Sequence, residues 1–182
     1  MQGGQQVKNL FIIGGTMGVG KTAVSQYLKH KLPAAVFLDG DWCWDASPFQ
    51  VTEETKVMAI DNICDLLNRF IRCSAYENVI FCWVMHEQSI IDEILQKLDT
   101  TQCMVKVISL TATEETLRAR IMSDVEKGRR TEDVLEKSIA RIPLYQKLNS
   151  IKIETDGKNI SEIAEEIINA STSGKTGHSE QH

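Results

Sequence analysis

The 182-residue sequence is poor in several features, and each shortage removes a class of answer. Its five cysteines, Cys43, Cys64, Cys73, Cys82 and Cys103, are odd in number, widely spaced and never arranged as C-x-x-C, which argues against a disulfide framework and against a zinc site. Positive charge is not in excess. Twenty Lys and Arg against 25 Asp and Glu leave a formal net charge of −5, which argues against a general nucleic-acid or membrane surface while leaving room for a local basic pocket. No apolar run approaches a membrane-spanning length, and residues 1–6 lack the basic region and apolar core of a secretion signal. A reduced, cytoplasmic setting is therefore expected. Apolar content of 42% and charged content of 25% are ordinary for a globular chain, and the length suits one well-buried domain, expected over residues 1–170.

Against this background one stretch stands out. Gly14-Gly15-Thr16-Met17-Gly18-Val19-Gly20-Lys21-Thr22-Ala23 contains G-x-x-x-x-G-K-[ST] at Gly15 to Thr22, the pattern of a phosphate-binding loop. The residue types follow from the chemistry: glycines let backbone N–H groups curl round β- and γ-phosphates, Lys21 reaches them as a point charge, and the Thr22 hydroxyl ligates Mg²⁺. Context supports the pattern. Residues 8–13 read as a buried strand, and residues 22–32 keep Val24, Tyr27, Leu28 and Leu32 at helical spacing, so the loop opens a helix whose positive end faces the phosphates.

Further strands are expected at 34–39, 79–85 (an unbroken apolar run that reads as the central strand), 104–110 and 150–154. Helices are expected at 53–76 with Thr52 as N-cap, at 87–98, after a capping box formed by Thr111 and Glu114, at 132–148 despite Pro143, and at 160–168. The glycine and arginines of residues 127–131 break the helical pattern, which predicts a hinged helical lid over about 122–148. Residues 171–182 turn to Ser, Thr, Gly and His and are expected to be a disordered tail. Strands alternating with helices predict an α/β fold with a five-stranded, mostly parallel sheet, and together with the phosphate loop this resembles the P-loop NTPase three-layer sandwich. Ligands then bind beyond the carboxyl ends of the strands.

Phosphate loops serve motors, switches and kinases alike, so a second carboxylate has to discriminate. The 79–85 run ends in His86-Glu87 with no aspartate, and the guanine-reading N-K-x-D pattern is absent, which counts against a motor or a GTP switch. Asp39-Gly40-Asp41 does close the second strand. Phosphoryl transfer to an alcohol needs one carboxylate near the acceptor hydroxyl and another near hydrated Mg²⁺, and two aspartates one residue apart can divide those tasks.

The phosphate loop, Leu38-Asp39-Gly40-Asp41 and the arginine-bearing helix and lid together resemble the small P-loop kinases typified by shikimate kinase, gluconate kinase, adenylylsulfate kinase and chloramphenicol phosphotransferase. The resemblance spans roughly residues 8–170. It implies ATP and Mg²⁺ as cofactors, a phosphate cradle of Gly15, Thr16, Met17, Gly18, Val19, Gly20, Lys21, Thr22 and Ala23, and Thr22 with Asp39 at the metal. It implies Asp41 at the acceptor hydroxyl, Arg120 of Leu117-Arg118-Ala119-Arg120 on adenine, and Arg129, Arg130 and Arg141 closing over the transferring phosphate. The expected partner is a small-molecule phosphoryl acceptor. A nucleoside or nucleotide kinase and a nucleotide-binding regulatory protein with weak ATPase activity are the alternatives. Trp83, His86 and Glu87 follow the third strand, where the family pattern offers no match, and Trp42 and Trp44 follow the second; the roles of all five stay open.

Overall fold

Residues 7–170 are described by the structure, a computed structural model, and the expected disordered tail at 171–182 lies outside them. The element order is β1 Lys8–Gly15, α1 Lys21–Lys31, β2 Ala35–Asp39, a 3₁₀ turn Gly40–Cys43, α2 Glu53–Arg72, β3 Asn78–Cys82, α3 Gln88–Lys97, β4 Cys103–Thr111, α4 Glu114–Glu126, α5 Asp133–Gln146, β5 Ile151–Glu154 and α6 Ile160–Ala170. All strand pairings are parallel, in the order β2-β3-β1-β4-β5.

The sheet is covered on both faces because the middle positions of its inner strands are apolar in unbroken runs while their side chains alternate sides. Leu10 and Ile12 of β1, with Val79 and Phe81 of β3, pack on Ile63 and Leu67 of α2 and Ile91 and Ile94 of α3. Their neighbours Phe11, Ile13, Ile80 and Cys82 face the other way, onto Val24 and Leu28 of α1, Leu117 of α4 and Ile163 and Ile167 of α6. The expected three-layer α/β P-loop architecture is therefore present.

Three expectations need correction. The strand expected to be central, 79–85, lies between β2 and β1, and β1 takes the middle place. That strand also stops at Cys82: its pairing with β1 ends opposite Ile13, while β1 runs on beside β4 to Gly15, and Trp83 makes one last bond, donating its N–H to the Ile13 carbonyl at 3.2 Å. Met85 is nonetheless fully buried, which explains why the apolar run outlasts the strand.

The capping box expected at Thr111 and Glu114 is not formed. Pairing with β5 carries β4 through Thr111, and the cap falls two residues later on Thr113, whose hydroxyl accepts from the Thr116 N–H. On α2 the expected cap holds, with Thr52 and Thr55 exchanging side-chain and backbone bonds, Glu53 and Glu54 in the first turn and Arg69 and Arg72 in the last.

Leu67 is fully buried between α2 and the sheet. Leu67→Ala is expected to lower the unfolding free energy by roughly 2–5 kcal/mol, read from urea denaturation at an unchanged slope.

Candidate functional site

Three chain segments meet at the carboxyl edge of the sheet: the loop after β1, the turn after β2 and the segment after β3. The first wraps tightly. Gly18 has φ +82°, and a Cβ there would stand 2.7 Å from Cγ1 of Ile121 on α4, so both backbone conformation and contact favour glycine. The Lys21 ammonium donates to the Thr16 carbonyl at 3.1 Å, holding the lysine across its own loop. Burial pushes its pKa below the ordinary lysine value, and the Asp41 and Asp39 carboxylates oppose that shift. Beneath it, burial pushes the Cys82 thiol up to about 12, so this cysteine is a protonated packing group.

Asp39, at the end of β2, is only 5% exposed. One carboxylate oxygen accepts the Thr22 hydroxyl at 2.7 Å and the other accepts the Asp41 N–H at 3.2 Å. The sequence-predicted metal pair thus meets, bringing hydroxyl and carboxylate oxygens together. Hard oxygen donors in small number suit Mg²⁺, which keeps several waters and takes its remaining ligands from phosphate. The described residues contain no cluster of three or more His, Cys, Asp or Glu able to hold a metal ion. The exposed Asp41 lies two residues on, and its Oδ1 accepts the Trp83 indole N–H at 3.1 Å.

Arg120 is half-buried, whereas Arg118 is exposed and pairs with Glu114 at 2.8 Å. The Arg120 guanidinium donates to the Val19 carbonyl at 3.2 Å and to the Thr155 hydroxyl and carbonyl at 2.9 Å each, tying the phosphate loop to the end of β5. It borders a cleft of about 610 Å³ lined also by Gly20, Ala23, Tyr27, Lys158 and Asn159. The segment 158–161 was not singled out by sequence reasoning, since its only signal is its place after the last strand.

The arginines expected at the lid have different surroundings. Arg130 donates to Asp124 of α4 at 3.1 Å while its charge also reaches Lys21, and Arg129 stands 3.8 Å from the same carboxylate. Arg141, farther along α5, instead sets the field at His86. Burial and the Arg141 charge lower the His86 pKa, against the pull of Glu87, so the imidazole is neutral near pH 7.

Sequence reasoning also missed Ser138. This fully buried residue of α5 donates from its hydroxyl to the Met17 carbonyl at 2.6 Å, and its own carbonyl accepts the Thr16 hydroxyl at 3.0 Å. The Thr16 side chain therefore points at α5, and only its backbone faces Lys21. The three tryptophans separate: Trp42 stands edge-on to Phe37, Trp44 packs on Phe49 with ring centres 4.4 Å apart, and Trp83 reaches Asp41.

A family model described as an AAA domain matches residues 12–142. No curated protein sequence matches the chain. Among solved structures, a gluconokinase from Sinorhizobium meliloti is 14% identical, with 92% of this chain and 94% of that one covered at a TM-score of 0.67. The tunicamycin resistance protein of Deinococcus radiodurans is 20% identical over 91% and 96% of the two chains, with a TM-score of 0.68. Shikimate kinase from Acinetobacter baumannii, in complex with shikimate, is 21% identical over 95% and 97%, with a TM-score of 0.62. The fold is that of the small P-loop kinases. No helix of the described residues is long and apolar enough to cross a membrane.

Ser138→Ala removes the bond to the Met17 carbonyl and is expected to cost roughly 1–3 kcal/mol, appearing as about a tenfold weaker calorimetric Kd for Mg-ATP. Unchanged affinity would show that the loop keeps its shape without α5.

Proposed function

The chain belongs to the AAA-domain family, and on that footing we propose that it is an ATP- and Mg²⁺-dependent kinase that transfers the γ-phosphate to a hydroxyl of a small molecule. The observation that carries this reading is the Thr22, Asp39 and Asp41 arrangement. One carboxylate is bound to the loop threonine, and the next is exposed beyond it.

In this reading the backbone N–H groups of residues 15–22 and the Lys21 ammonium hold the β- and γ-phosphates, while Val19, Gly20, Ala23 and Arg120 border the base. Thr22 and Asp39 would hold Mg²⁺. When bound, the metal neutralises charge on the transferring group. Asp41 accepts the hydrogen bond of the acceptor hydroxyl, orients it toward the phosphorus and takes up its proton as the bond forms. Arg129 and Arg130 exchange Asp124 for phosphate oxygens, and Arg141 closes the acceptor side beside His86. Catalysis is then mainly positioning and charge neutralisation.

The test is a coupled ADP-release assay with Mg-ATP against sugar acids, shikimate-like alcohols, nucleosides, nucleoside monophosphates and antibiotic alcohols. One acceptor is expected to raise ADP release well above background, and Asp41→Asn to reduce that rate by about 10²-fold or more while ATP affinity stays within about threefold. A flat panel with tight ATP binding would replace this reading with that of a nucleotide-dependent regulatory protein.

A further inference from the structure

Asp41 is exposed, and an aspartate on a surface turn has several rotamers open to it. Here one is selected. The selection comes from the segment after β3, where the Trp83 backbone N–H is bound to β1 and its half-buried ring packs against the α2 side of the core. The ring lies directly over Gly40: a Cβ at that position would stand 2.5 Å from Cγ, 2.6 Å from Cδ1 and 3.0 Å from Cβ of Trp83. That close approach brings the indole N–H to Asp41 Oδ1 at 3.1 Å. Among the described residues the second oxygen, Oδ2, has no hydrogen-bond partner.

We infer that Trp83 is the positioning residue of Asp41: its indole N–H occupies Oδ1 and turns Oδ2 toward the acceptor hydroxyl, with Gly40 as the gap that lets the ring approach. The inference rests on the proposed role of Asp41. It also accounts for a tryptophan where sequence reasoning found no family match. A neutral donor suits the place, because a lysine or arginine there would form an ion pair with the carboxylate and compete with the acceptor.

The contact can be read without any acceptor. In ¹H–¹⁵N spectra of the full chain at one fixed pH, the indole resonance assigned by Trp83→Phe is expected to move upfield in the proton dimension in Asp41→Ala, where the acceptor of its N–H is gone. A resonance indifferent to that substitution overturns the inference. With the acceptor found by the panel, Trp83→Phe is expected to lower kcat about tenfold, with acceptor KM and Mg-ATP Kd within about twofold. Adding it to Asp41→Asn should cost nothing more, because the two residues act as one unit. Losses that multiply in the double variant would mark Trp83 as core packing only. If Asp41→Asn alone transfers phosphate normally, both this inference and the proposed function fall. If Asp41→Asn is inactive and Trp83→Phe is normal, only this inference falls.

Discussion

The buried carboxylate of Asp39 holds the carboxyl edge of the sheet together. A carboxylate taken out of water must have its oxygens bonded, and here each has found a different segment: the first turn of α1 through Thr22 and the backbone after β2 through Asp41. The arrangement of loop, helix start and strand end therefore follows from satisfying one charge. Parallel pairing makes this possible. β2 and β1 are both hydrogen-bonded to β3, which sets Asp39 and Ile13 on either side of Cys82, so the residues that follow them meet.

A second constraint ties the phosphate loop to a helix far along the chain. Ser138 is bonded to Thr16 and Met17, and Arg120 links Val19 to Thr155. The loop is thus held from α4, α5 and the end of β5 as well as by its own glycines. Such outside support keeps backbone N–H groups aimed inward before any anion arrives, which is where preorganised binding sites differ from flexible turns.

Local chemistry was legible in the sequence, and long-range partners were not. The phosphate loop, the two aspartates and the helical periods each declare themselves within about ten residues, so five strands and the main helices could be read to within a few positions. The expected cap at Thr111 misplaced the start of α4 because strand pairing with β5, about 40 residues away, outweighed a local motif. Ser138 and Asp124 carry no pattern of their own. Their importance lies in what they touch, and Ser138 meets the loop across 121 and 122 residues of chain. Trp83 was noticed as an aromatic near a strand end, but its hydrogen bond depends on the missing side chain at Gly40, a pairing that no spacing rule encodes.

The Ser138 contact also bears on the helical lid of the proposed kinase. The middle of α5 is latched to the floor of the phosphate loop, so a swing of that whole helix would break the bond to the Met17 carbonyl. Residues 127–132 join the end of α4 to the start of α5 and carry Arg129 and Arg130. If these arginines close over phosphate as proposed, that short connection is the fingertip and α5 the braced hand behind it, so a moving lever and a stiff binding loop fit in the same small chain.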